Sequence, residues 1–198
     1  MADEELDVRP LPKPDKHPAV FARYDALAPG TSFVLVNDHD PKHLRREFEI
    51  EHPEGHGWQY LDNGADGWRI RISKLATTSL PRVLHNTSDL ADDHAPDVTG
   101  AVWKLQMRRR DLDSNVIHLP PAGTIGAHAG PDLDVLVHVL RGTGQLATEL
   151  GAVPLRTGAL VWLPRRSTRG FTAGPEGLTY LTIHQRRQAL LLDIGQQT

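Results

Sequence analysis

The sequence predicts two domains in tandem: an α+β domain over residues 5–75 and an all-β domain over residues 99–193, joined by a linker at 76–98. Three observations support this. Residues 7–75 alternate helix-period and strand-period apolar patterns. Residues 76–98 shift to Thr, Ser, Asn, Asp and Pro with few large apolar side chains, as domain boundaries do. Beyond them, short apolar runs recur between Gly- and Pro-rich turns at the even spacing of a barrel or double-sheet sandwich.

In the first domain, Leu6 to Arg9 reads as an opening strand. Val20, Phe21, Tyr24, Leu27 and Ala28 then form a helical stripe, opened by Pro18 and closed by Pro29-Gly30. Ser32 to Val36 (S-F-V-L-V) is apolar on both faces, which suits a central strand. Asp40 as N-cap and Pro41 at the first helical position announce a second helix, with Leu44 and Phe48 one turn apart. Trp58 and Tyr60 share one face of the next strand. In the last, Trp68, Ile70 and Ile72 alternate with Arg69 and Arg71, the pattern of a sheet wet on one side. The predicted order is β-α-β-α-β-β, a two-layer sandwich.

The linker has room for a short helix at Ser88 to Ala91. After it the expected strands are Val102–Met107, Asn115–Leu119, Leu133–Leu140, Gln145–Leu150, Ala159–Leu163, Thr168–Ala173 and Leu178–His184. Pro120-Pro121, Gly142-Thr143-Gly144, Thr157-Gly158 and Gly174-Pro175 read as the turns between them. A terminal helix is expected over Gln188 to Ile194.

Composition narrows the chemistry. The chain has 198 residues, no cysteine and eleven histidines. Disulfides, thiolate zinc sites, iron–sulfur clusters and cysteine nucleophiles are therefore excluded, and any metal must be held by histidine and carboxylate. Lys and Arg number 22 against 25 Asp and Glu, with no basic run longer than Arg108-Arg109-Arg110, so no nucleic-acid partner is expected. The imbalance lies in residues 1–75, which carry 14 acidic and 10 basic groups. The acidic start, MADEELDVRP, lacks the apolar stretch of a secretory signal, and no apolar run is long enough to span a bilayer. The expectation is a cytoplasmic protein with no membrane partner.

The second domain resembles a cupin, a jelly-roll barrel. The residues that carry the likeness are Pro121-Ala-Gly-Thr-Ile-Gly-Ala-His128, Asp134-Val-Leu-Val-His-Val-Leu-Arg-Gly-Thr-Gly144 and Gly158-Ala-Leu-Val-Trp-Leu-Pro164. The resemblance implies a metal held by three histidines and a glutamate. With His128 as the first ligand, the other three positions fall on Gly130, Val135 and Arg169, none of which binds a divalent cation. Asp134, next to Val135, should face away if Val135 faces in. Trp103, His128, Trp162, Arg165, Arg166 and Arg169 remain around the expected barrel mouth. They suit a small polar or anionic ligand, because a guanidinium presents a fixed fork of donors. The bland reading makes the arginines solvated and Trp162 core or dimer surface. Exposed alternation at Asp134, Leu136 and His138 would suit a homodimer through this domain.

The first domain resembles an uncharacterised bacterial family of TusA-like (SirA-like) fold. The likeness rests on Leu6-Asp-Val-Arg-Pro10, His17-Pro18, Phe21, Tyr24-Asp-Ala-Leu-Ala-Pro-Gly30 and Phe33-Val-Leu-Val-Asn-Asp-His-Asp-Pro41. TusA-type sulfur carriers place a Cys-Pro pair at the start of the first helix, where the macrodipole favours thiolate. His17-Pro18 takes that place here, so persulfide carriage through it is excluded. His17, His39 and Asp38 or Asp40 could converge as a site for a metal ion or an anion. Alternatively Asp40 caps its helix, Asn37 and Asp38 make turn bonds, and His17 caps or packs. His52, His56, His85 and His94 read as surface residues.

The sequence therefore leans away from an enzyme, toward a non-catalytic or regulatory ligand-binding protein. The family likeness of the first domain implies a redox or nitrogen-oxide stress setting. The competing expectation is a metal-dependent cupin enzyme, a dioxygenase or isomerase, with Fe, Mn, Zn or Ni on His128 and unusual co-ligands. A barrel without metal is the preferred expectation.

Overall fold

The structure, a computed structural model, describes residues 4–63, 67–89 and 97–186. Contacts divide the chain into two compact units, Met1–Val83 and Leu84–Thr198. The terminal helix expected at 188–194, His94, and the end of the short helix expected at 88–91 lie outside the described residues.

The first unit runs β1 (Glu4–Asp7), α1 (Lys13–Asp25), β2 (Ser32–Asn37), α2 (Lys42–Glu51), β3 (His56–Asp62) and β4 (Trp68–Lys74). Its sheet has the order β1-β2-β4-β3. β1 lies parallel to β2, and the other pairs are antiparallel. Alternate residues of the two central strands, Phe33 and Leu35 with Ile70 and Ile72, are fully buried against Val20 and Tyr24 of α1 and Leu44 and Phe48 of α2. Phe48 stacks on Phe21 at 4.5 Å and meets Tyr24 edge-on at 5.0 Å. On the reverse face Val34 and Val36 are buried too. Their register neighbours are Glu5 and Arg71, and Asp7 and Arg69. Across this face Arg69 pairs with Glu5 and Arg71 donates to Gln59.

Three details of this unit correct the sequence reading. α1 begins at Lys13, not Pro18, because Pro14 falls where its missing N–H would have been unsatisfied anyway. His17 consequently sits in the second turn, beyond the strongest part of the helix dipole. Asp40 does not cap α2; the N-cap is Pro41, and Asp40 Oδ1 instead accepts from the Tyr60 hydroxyl at 2.9 Å. Third, His52 and His56 are half-buried rather than on the surface, packed 6.0 and 5.4 Å from the Phe48 ring. His85, which belongs to the second unit, is half-buried as well, with its Nε2 buried.

Among the described residues the strands of the second unit are β5 (Gly100–Lys104), β6 (Leu112–Leu119), β7 (Thr124–Ala129), β8 (Val135–Thr148), β9 (Gly151–Arg156), β10 (Leu160–Leu163) and β11 (Thr168–Gln185). The ladder runs β10-β8-β11-β6-β5, with β7 added on β11 and β9 on β8. It does not close among the described residues, so the expected closed barrel is corrected to an open seven-stranded sheet. Its two long strands each serve two sets of neighbours. The start of β8 pairs with β10 and the end of β11; its end pairs with β9 and the start of β11. Val135, Val137, Val139 and Leu146 of β8 meet Phe171, Ala173, Leu178 and Tyr180 of β11 in one apolar core.

The expected turn at Gly142-Thr143-Gly144 lies inside β8, and that at Gly174-Pro175 inside β11. Gly142 has φ +78°, and a Cβ there would stand 2.1 Å from the Gly177 carbonyl oxygen; one on Gly144 would stand 2.5 Å from the Thr172 carbonyl oxygen. These glycines let two backbones touch where β8 and β11 change neighbours.

Candidate functional site

In the second unit, the expected ligand residues are not brought together. Trp103 is on β5 and Trp162 on β10, opposite edges of the ladder. Trp162 is 65% exposed and pairs across the strands with Leu136. It lines a surface groove of about 450 Å³ with Leu150, Val153 and Glu149, but without Trp103, His128, Arg165 or Arg169. Asp134 does face away from the buried Val135, and its Oδ1 accepts from the Arg165 backbone N–H at 2.8 Å. Arg166 pairs with Asp132 at 2.6 Å, so the loop before β8 clasps the loop before β11.

His128 and Arg169 are register partners on β7 and β11. The His128 ring is exposed, with Nδ1 at 2.9 Å from the Gly126 carbonyl. Arg169 is only 4% exposed. Its guanidinium donates to the Pro164 carbonyl at 2.9 Å, to Ser167 Oγ at 3.1 Å and to the Ser167 carbonyl at 3.3 Å. Burial lowers the pKa of this arginine from its ordinary value. A Cβ on Gly130 would come within 2.0 Å of Arg169 Nη2. Gly130 and Arg169 thus fit each other, the guanidinium filling the space that a side chain at position 130 would need. Arg169 ties down the β10–β11 loop.

The first unit does gather its expected residues. β2 ends at Asn37 beside a cleft of about 320 Å³. Its base is apolar: Val8 after β1, Val20 of α1, Leu35 of β2 and Leu44 of α2. Lys13, Lys16 and His17 of α1, with His39, Asp40 and His43 from the start of α2, complete the lining. The N-caps of both helices are prolines without a side-chain capping bond. Backbone donors at two helix starts are therefore left without the usual cap.

Most of the charged groups here are already engaged. Lys16 Nζ lies 3.3 Å from Asp38 Oδ2, and His39 Nδ1 lies 2.5 Å from Asp38 Oδ1. The His39 hydrogen bond, helped by Lys16, holds the Asp38 carboxyl below the usual carboxylate range. His17 Nδ1 is 3.1 Å from Glu47 Oε2. Asp40 accepts from Tyr60 and stands 3.7 Å from Lys42. Asn37, 4% exposed, donates its amide to the His39 carbonyl at 2.8 Å, while its Oδ1 is buried with no hydrogen-bond partner.

His17 and His39 therefore share one cleft, as the sequence suggested, but each is turned to its own carboxylate. Among the described residues no group of three or more His, Asp or Glu side chains is placed to hold a metal ion. Sequence reading missed Lys13 and Lys16, because it started α1 five residues late, and passed over His43 in the first turn of α2. Pro12 and Pro14, bracketing Lys13, were the available signal.

Residues 5–74 match a family described as "Uncharacterized conserved protein (DUF2249)". No curated protein matches the chain. Among solved structures, the chain is similar to the polyketide cyclase RemF from Streptomyces resistomycificus, at 21% identity and a TM-score of 0.43 over 54% of this chain and 80% of that one. An uncharacterised protein with a double-stranded β-helix domain from Klebsiella pneumoniae gives 16% and 0.42 over 54% and 90%. A cupin-2 domain protein from Shewanella frigidimarina gives 18% and 0.41 over 52% and 95%. At these values no chemistry passes from one protein to the other. No helix among the described residues is long and apolar enough to cross a membrane.

Proposed function

We propose that this chain is a small-molecule-binding protein with no catalytic step of its own, in which the first unit binds and a cupin-like second unit is a scaffold. The observation that carries the reading is the cleft at the start of α1 and α2, where His17, His39 and Asn37 meet an apolar base. Support for the scaffold role comes from the second unit, where Gly130, Val135 and Arg169 occupy the metal positions and Val135 and Arg169 are buried. We read the first unit as TusA-like with His17 in place of the sulfur-carrying cysteine, and that resemblance supports a redox or nitrogen-oxide stress setting.

The test uses untagged full-length protein incubated with a bacterial small-molecule extract, washed and denatured, with released molecules identified by mass spectrometry. The expected result is a recovered compound, chemically unchanged by the protein, in near-stoichiometric amount. Conversion of that compound to a product, or stoichiometric Fe, Mn, Zn or Ni lost on His128→Ala, would overturn the reading.

A further inference from the structure

We propose that the cleft of the first unit selects small organic anions, a single carboxylate or phosphate on an apolar body that also carries a hydrogen-bond donor. This rests on the reading of that cleft as the binding site. Three independent features of the lining lead to it.

The first is the pair of helix starts. Both N-caps are prolines that give no side-chain bond, and α2 has no acidic residue in its first turn. Pro14 has no N–H, and those of Asp15 and Lys42 already donate to the Pro12 and Asp40 carbonyls, so an anion between these ends would draw on the N–H groups of Lys13, His43 and Leu44 and lie at the positive end of two helix dipoles. The second feature is charge. Lys13, Lys16, His17, His39 and His43 line the cleft against Asp40, its one acidic residue among those described. Asp40 is already engaged by Tyr60 and Lys42, and Asp15, in the first turn of α1, does not belong to the lining. Lys13 has no ion-pair partner among the described residues. Asp38 holds Lys16 and His39 and Glu47 holds His17, so Lys13 and His43 are the basic lining residues left to meet a ligand.

The third feature is Asn37. Its buried Oδ1 is an acceptor without a donor, a situation that is costly unless something else supplies the proton. An N–H or O–H brought in by the ligand would meet that need. A bare inorganic anion would leave the apolar base of Val8, Val20, Leu35 and Leu44 uncovered.

The test titrates the full chain with hexanoate, hexan-1-ol, hexylammonium, inorganic phosphate and 6-hydroxyhexanoate, following backbone amide shifts by NMR. Hexanoate should saturate with shifts at Lys13, Asp15, Lys16 and at residues 42–44, about tenfold tighter than the alcohol, the loss expected for a charge-assisted hydrogen bond. The hydroxy acid should bind tighter still, and phosphate more weakly than hexanoate. Lys13→Glu should weaken hexanoate about tenfold without lowering thermal stability, because an acidic residue favours a helix start while repelling the ligand. Equal or tighter binding of the alcohol or the ammonium at the same amides overturns the anion assignment and leaves the binding site standing. Phosphate binding tighter than hexanoate overturns the organic body, and a hydroxy acid no tighter than hexanoate overturns the donor. If none of the five shifts those amides, the cleft itself is overturned as the site.

Discussion

Arg169 shows how a single buried residue can tie a loop down. Its guanidinium fills the space over Gly130 and holds three acceptors of the 164–167 loop. Gly130→Ala forces that buried charge out of place and is expected to destabilise the protein by roughly 2–4 kcal/mol. In an Arg169→Gln background the same change should cost under about 1 kcal/mol, since the obstruction is gone. Denaturant midpoints of the four proteins measure the coupling, and equal costs in both backgrounds would show that Gly130 matters for another reason. Tyr180 carries a pH prediction. Burial raises its pKa, so the folded state keeps the proton longer than the unfolded chain. Its contribution is intact below the ordinary tyrosine value of about 10 and is lost as pH rises beyond it. Tyr180→Phe keeps the ring stacked on Phe171 and should flatten the fall in stability between about pH 9 and 11. At this scale the sequence was informative about identities and misleading about roles. Asp40 looked like a cap because of its neighbours in sequence, whereas its partner, Tyr60, comes from a strand twenty residues away.

The elements divide between those set by local pattern and those set by long-range pairing. β2, β4 and the second half of α1 follow from apolar periodicity, because their buried faces repeat within one short segment. β8 and β11 do not. Their glycines carry the chemistry of turns, yet they serve a crossing in which two backbones come close, and only the partner strand reveals this. Gly142→Ala is therefore expected to cost about 3 kcal/mol or more, through collision with the Gly177 carbonyl. Gly126→Ala on β7, where a Cβ meets nothing within 4 Å, should change stability by less than about 0.5 kcal/mol. Thermal or chemical unfolding separates these two cases. β7 and β9 went unread as strands because neither is a strongly apolar run; both are edges with mostly exposed side chains.

For the whole molecule, the absence of cysteine and the eleven histidines invited a metal-based account. Among the described residues, histidines instead lie in an aromatic cluster, along strands, and in a cleft where carboxylates hold two of them. His128→Ala, at an exposed ring bonded to its own strand, is expected to leave both metal content and melting temperature unchanged. The cluster of His17 and His39 was legible in sequence because both lie beside helix starts that follow or precede one central strand. Its lysines and its orphaned amide oxygen were not, since they depend on where α1 begins and on how Asn37 is turned.

The most direct measurement is a crystal structure of the untagged full-length protein grown with 6-hydroxyhexanoate. The account predicts difference density for the carboxylate between the starts of α1 and α2, beside Lys13, with the chain over Leu35 and Leu44. Density for the compound confined to the second unit, next to His128 or Trp162, would contradict it.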